Sequence, residues 1–135
     1  PPALPDTEEL LRLAREVRLR AHAPYSHYMV GAAVLSATGR VFLGCNVENA
    51  AYPVGTCAEA GAIAAMIAVG DTTIADIAIV SPNANPCMPC GGCRQRISEF
   101  STAATRIHVL DQKGEALSYA VVELLPFAFG PGALP

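Results

Sequence analysis

Three of the five cysteines, Cys87, Cys90 and Cys93, are crowded into seven residues, and Cys57 stands well upstream of them. The total is odd, and the start of the chain shows no basic segment followed by an apolar one, so no export leader is expected. In a reducing cytoplasm, the expected location, such spacing serves metal binding or catalysis more often than disulfides. Cys90 and Cys93 are three apart at the start of a predicted helix over 90–100 and share one face of it. Cys57 begins another predicted helix, over 57–69. Helix N-termini carry partial positive charge and unsatisfied N–H groups, which favour thiolate over thiol. A catalytic zinc takes three protein ligands and keeps a fourth position for water. Cys57, Cys90 and Cys93 match that number. Glu59 is two residues from Cys57, and residues two apart on a regular helix do not face each other. Cys57 must therefore sit at the cap, outside helical geometry, for Glu59 to reach the open position. The run Cys87-x-x-Cys90-x-x-Cys93 also permits an iron–sulfur cluster.

The remaining pattern alternates helices and strands. Asp6 or Thr7 caps a helix predicted to run to His22, with Leu10, Leu13, Val17 and Leu19 as its apolar face. Val30–Ser36 and Arg40–Asn46 read as a hairpin turning at Ala37-Thr38-Gly39. The 57–69 helix is dominated by small side chains, which permit close approach of other backbones and predict burial at the centre. Ile74–Val80, Arg106–Leu110 and Glu115–Tyr119 read as strands, Ser81–Pro89 as a loop and Ala120–Leu125 as a last short helix. This order indicates an α/β sandwich with a mixed sheet.

Composition narrows the function classes. The chain is 52% hydrophobic and 16% charged, against roughly 25% charged in an average domain, which excludes a disordered chain. The longest apolar stretch, Ala60–Gly70, is too short to span about 30 Å of bilayer hydrocarbon. Twelve acids against nine bases give a net charge of −3. The N-terminal arginines are interleaved with Glu8, Glu9 and Glu16, a solvated helix face rather than a nucleic-acid footprint. So much apolar surface in 135 residues predicts association of subunits.

Cys57-Ala58-Glu59 followed by Pro89-Cys90-Gly91-Gly92-Cys93 resembles the zinc motif of nucleobase deaminases, a ligand-x-Glu segment and a later Pro-Cys-x-x-Cys. The segments Pro24–Ala33, Gly44–Ala50, Cys93-Arg94-Gln95 and Leu124–Phe129 extend the likeness in the same order. Together they resemble the short, homotetrameric cytidine deaminases with three zinc cysteines, along nearly the whole chain. The resemblance implies a three-layer α/β/α sandwich with a mixed five-stranded sheet, forming a single catalytic domain over 1–135. It implies one zinc per subunit on Cys57, Cys90 and Cys93, and hydrolytic deamination of cytidine and 2′-deoxycytidine to uridine and 2′-deoxyuridine in pyrimidine salvage. Zinc-activated hydroxide would add at C4, with Glu59 moving protons from water to N3 and to the departing amine. Asn46 and Glu48 would hold the ribose hydroxyls, while Tyr28 stands where the family has Phe near the pyrimidine, and Ala58 joins these substrate-binding residues. Phe129 would enter the active site of a neighbouring subunit, so that active sites are shared within the tetramer.

These motifs account for the ligands without an iron–sulfur cluster and leave Cys87 as a spare thiol near the site mouth. Cys45 reads as a small core residue, and His22, His27 and His108, which lack ligand spacing, as structural. One position departs from the family: after Cys-Ala-Glu it often has Arg beside the thiolates, and this chain has Ala60. Zinc with three thiolates is anionic, which works against acidifying water. The sequence-based expectation is that Arg94, with the helix N-termini, supplies the missing positive charge. Competing readings are deamination of another amino-heterocycle and a zinc-stabilised binding subunit without turnover. The presence of Asn46 and Glu48 argues against the first, and intact Glu59 with all three ligands against the second.

Overall fold

The computed structural model describes residues 4–82 and 86–135; within the expected 81–89 loop, residues 83–85 lie outside the described residues. The first helix, α1 (Thr7–Val17), is capped by Asp6, whose carboxylate accepts a hydrogen bond from the Glu9 amide at 2.9 Å. This satisfies one of the N–H groups a helix leaves open in its first turn. Leu10, Leu11 and Ala14 form the buried face. The helix ends earlier than the sequence predicts. After Val17 the chain tightens into a 3₁₀ turn at Arg18–Arg20, and Leu19 is exposed rather than packed. The charged face is solvated as expected, with Arg12 reaching Glu9 at 2.6 Å and Glu16 at 2.7 Å.

Strands β1 (Gly31–Ser36) and β2 (Val41–Cys45) form the expected antiparallel hairpin. Its turn passes through Gly39 at φ +90°, a left-handed conformation that glycine adopts without penalty. Strand β3 (Ile74–Val80) pairs antiparallel with the other edge of β1. Strand β4 (Arg106–Leu110) runs parallel to β3, and β5 (Ala116–Ala120) returns antiparallel to β4. The sheet order is β2-β1-β3-β4-β5. A parallel β3–β4 step needs a long crossover, and α3 (Gly91–Glu99) lies in it. Helix α2 (Ala58–Ala68) links β2 to β3, and α4 (Val121–Leu124) follows β5.

Side chains alternate across the sheet. Val34, Ile77, Ile79, Ile107 and Val109 pack with Ala62, Ile63 and Met66 of α2, Ile97 of α3 and Val121 of α4. Ala33, Leu35, Ala78 and Val80 pack on the opposite face with Leu10, Leu11 and Ala14 of α1. The architecture is therefore the three-layer α/β/α sandwich with a mixed five-stranded sheet. Two glycines let the helices seat on the strands. A Cβ at Gly31 would stand 2.0 Å from the Ala14 carbonyl oxygen of α1. A Cβ at Gly44 would stand 2.3 Å from the Ala58 carbonyl oxygen and 2.5 Å from the Ala62 amide nitrogen of α2. Within a single chain, helix α2 is not covered all round. Ala58, Glu59, Ala62, Ile63 and Met66 are buried, but Ile67 is 40% exposed because it points away from the sheet.

Candidate active site

The N-termini of α2 and α3 meet at one end of the sheet. Cys57 is the N-cap of α2 at φ −78°, ψ 157°, and Cys90 the N-cap of α3 at φ −66°, ψ 167°. Both are extended, so each thiol stands outside its helix while the next residues turn inward. Cys93 lies in the first turn of α3 and is buried. The sulfur atoms of Cys57, Cys90 and Cys93 all lie within 4.8 Å of one another. Because Cys57 is a cap, Glu59 can turn into the same region, as the two-residue spacing required. Glu59 is 4% exposed, and burial raises its pKa above the usual carboxylate range. Its interaction with the Cys93 thiol works the other way, lowering it.

The thiols differ in environment. A hydrogen bond from the Cys93 backbone lowers the pKa of Cys90, whereas burial pushes the Cys57 and Cys93 thiols up. Convergent sulfurs at two helix N-termini, with one flank open to a cleft, fit a tetrahedral ion that prefers thiolate and keeps a vacant position. Cys87 does not join the group of convergent ligands among the described residues; its sulfur accepts a hydrogen bond from the Tyr28 hydroxyl at 3.6 Å. The group that could hold an ion is thus Cys57, Cys90 and Cys93, not the Cys87-x-x-Cys90-x-x-Cys93 run.

The cleft in front of the thiols has a volume of about 620 Å³. Tyr28, Asn46, Glu48, Ala58 and Glu59 all line it. Asn46 and Glu48 follow the end of β2, where Val47 bridges to both His22 and Thr56 and so draws this segment against the approach to α2. Asn46 accepts from the Val30 amide at 2.8 Å and donates one of its two N–H groups to the Tyr28 carbonyl at 2.8 Å. Glu48 accepts from the Tyr25 amide at 3.0 Å and from the Ser26 amide and hydroxyl. The Ser26 hydroxyl above all holds the Glu48 carboxyl below its ordinary range, which keeps it an acceptor. Among the described residues no Lys or Arg lines the cleft.

Sequence reasoning missed the cleft rim, where Tyr25 and Tyr52 meet edge to face at 5.7 Å between ring centroids. They come from two loops with no shared periodicity, so only the fold brings them together. Phe129 does not line this chain's own cleft and is 61% exposed; its carbonyl accepts from Gln95 at 2.9 Å.

The expectation for Arg94 is corrected. Its guanidinium donates to the carbonyls of Pro89 and Leu124, each at 2.8 Å, and so ties the approach to α3 to the end of α4. Arg96 instead donates to the Cys93 sulfur at 3.8 Å. Residues three apart on a helix share a face and adjacent ones do not, so the Cys93-x-x-Arg96 spacing was the available signal.

The cytidine and deoxycytidylate deaminase zinc-binding region matches residues 5–109. The cytidine deaminase of Sporosarcina psychrophila is 37% identical over 92% of this chain and 91% of its own length. The chain belongs to the cytidine deaminase family. The cytidine deaminase of Halalkalibacterium halodurans is 38% identical, over 92% of this chain and 94% of its own. The crystal structure of the Burkholderia pseudomallei cytidine deaminase superposes with a TM-score of 0.87 at 37% identity, covering 93% of this chain and all of that one. In this member of the cytidine deaminase family, no described helix is long and apolar enough to cross a membrane.

Proposed function

We propose that the chain hydrolyses cytidine and 2′-deoxycytidine to uridine and 2′-deoxyuridine, releasing ammonia. The observation that carries this reading is the buried Glu59 carboxyl at the three convergent sulfurs, in a cleft that also holds Asn46 and Glu48. Zinc on Cys57, Cys90 and Cys93 supplies a Lewis acid that makes water a nucleophile near neutral pH. Glu59 takes one proton from the attacking water and delivers it to N3 of the ring, then takes the second from the C4 hydroxyl of the adduct and gives it to the departing amine as the C4 carbonyl forms. Its burial suits a group that must hold and return a proton. Addition of water at C4 and loss of the amine consume one water and release one ammonia. Asn46 donates its remaining N–H, and Glu48 accepts, at the ribose hydroxyls. Tyr28 and Ala58 flank the pyrimidine. The absence of Lys and Arg from the described cleft lining favours a neutral nucleoside over a nucleotide.

The test is to incubate the zinc-loaded protein with cytidine, deoxycytidine, cytosine and dCMP and follow ammonia release. Turnover of the two nucleosides, with little of the base or the nucleotide, is expected. Fully loaded protein that releases no ammonia from either nucleoside would overturn the reading.

The same reading makes residues 1–135 one cytoplasmic catalytic unit of pyrimidine salvage, with one zinc per subunit, that works as a homotetramer. Ile67 on the outer face of α2, together with Phe127 and Phe129, supports association. Phe127 is fully exposed and held at φ +53°, a strained conformation for a bulky residue. Phe129 then enters a neighbouring subunit's cleft. Phe129→Ala is expected to lower kcat/KM about tenfold, near the 1.4 kcal/mol that one aromatic contact contributes, without changing zinc content. Unchanged kcat/KM in an intact tetramer would remove Phe129 from the site.

A further inference from the structure

We propose that Arg96 is a positioning residue for the zinc centre: it acts through Cys93 and supplies the positive charge that the three-thiolate site lacks. This rests on the zinc-binding reading above. Cys93 and Arg96 are three apart on α3, and the Arg96 guanidinium Nη1 donates to the Cys93 sulfur at 3.8 Å. Among the described residues, it is the cation seen donating to one of the three convergent sulfurs. Arg94, two residues before it, donates instead to two backbone carbonyls. Ala60, which follows Glu59 in α2, has no donor to offer. Gly92 leaves the space the guanidinium occupies, since a Cβ there would stand 3.1 Å from Arg96 Nη1.

Charge balance gives this contact its effect. Zinc loading replaces three thiol protons with one dication, so three protons leave and the site becomes more negative by one charge. A cation at the sulfur stabilises the loaded state relative to the empty one. The hydrogen bond also fixes the orientation of the Cys93 sulfur, and groups that orient metal ligands contribute about tenfold or more to affinity.

The experiment measures zinc affinity at pH 7 by competition with a chromophoric chelator for the wild type, Arg96→Gln and Arg96→Lys, at low and high salt. Arg96 is solvent-exposed, so neither variant removes core packing. Arg96→Gln is expected to weaken zinc binding about tenfold. Arg96→Lys, which keeps the charge, is expected to recover most of that loss. The gap between Arg96→Gln and wild type is expected to narrow as the Debye length falls from about 10 Å at 0.1 M to about 3 Å at 1 M salt. Affinity of Arg96→Gln within twofold of wild type at low salt, or an equal loss in Arg96→Lys, would overturn the inference while leaving the zinc reading intact. A wild type that takes up no zinc would overturn the zinc reading, and this inference with it.

Discussion

Replacing Glu59 with Gln is expected to lower turnover by a factor on the order of 10³ to 10⁴, the upper range for loss of a general acid–base group, while the protein keeps its zinc. Gln preserves the size and hydrogen-bonding reach of the side chain but cannot take or return a proton. Glu59 is not among the three convergent sulfur ligands, so metal content is expected to stay at the wild-type level. Its burial means that the carboxyl works away from bulk water, which would otherwise provide a competing proton relay. Single-turnover measurement of ammonia release beside a zinc assay checks both halves. Turnover within tenfold of wild type would remove Glu59 from the proton-transfer role.

Gly44→Ala is expected to destabilise the fold by about 3 kcal/mol or more, at the upper end for overpacking a core, and to cost zinc binding as well. The added methyl would meet the α2 backbone at 2.3 Å and 2.5 Å, and backbone cannot move aside as a flexible side chain does. Relief requires α2 to lift from β2. The contacted residues, Ala58 and Ala62, flank Glu59 and follow Cys57, so such a shift carries the ligand and the carboxyl with it. Gly61→Ala serves as the contrast. Its Cβ would make an ordinary contact, 3.7 Å from Gly44 Cα, and alanine favours a helix interior by about 0.5–1 kcal/mol over glycine. Urea unfolding of both variants is expected to show opposite signs. A Gly44→Ala protein as stable as wild type would mean that α2 does not seat on β2 as closely as described.

Much of the framework was legible because its causes are local. Asp6 caps α1 through a bond to its own third neighbour, and β3 and β4, rich in β-branched residues, have the bounds the pattern predicts. The cap placement of Cys57 followed from Glu59 alone: two residues that must serve one site cannot both be helical at that spacing. Other features depend on distant partners. Leu19 fits the periodicity of α1, yet the chain leaves helical geometry after Val17, where the Arg18 side chain bonds the Met29 carbonyl at 3.0 Å. The small residues of α2 predict close approach of another backbone, but which one, β2 at Gly44, is set by the packing of elements far apart in the chain.

By itself, the sequence determined the chemical identity of the site: three thiols at helix starts, a carboxylic acid poised by its spacing, and an amide and a carboxylate at a strand end. Those follow from residue type and from neighbours a few positions away, where backbone geometry leaves few choices. Tertiary structure alone decided why Cys87 faces Tyr28 instead of the other cysteines, and which glycine bears the α2 backbone. Each of these depends on where a long side chain or a packed helix ends up after elements far apart in the chain have met. Contact distances of a few ångströms are set by that packing, and no local pattern encodes them.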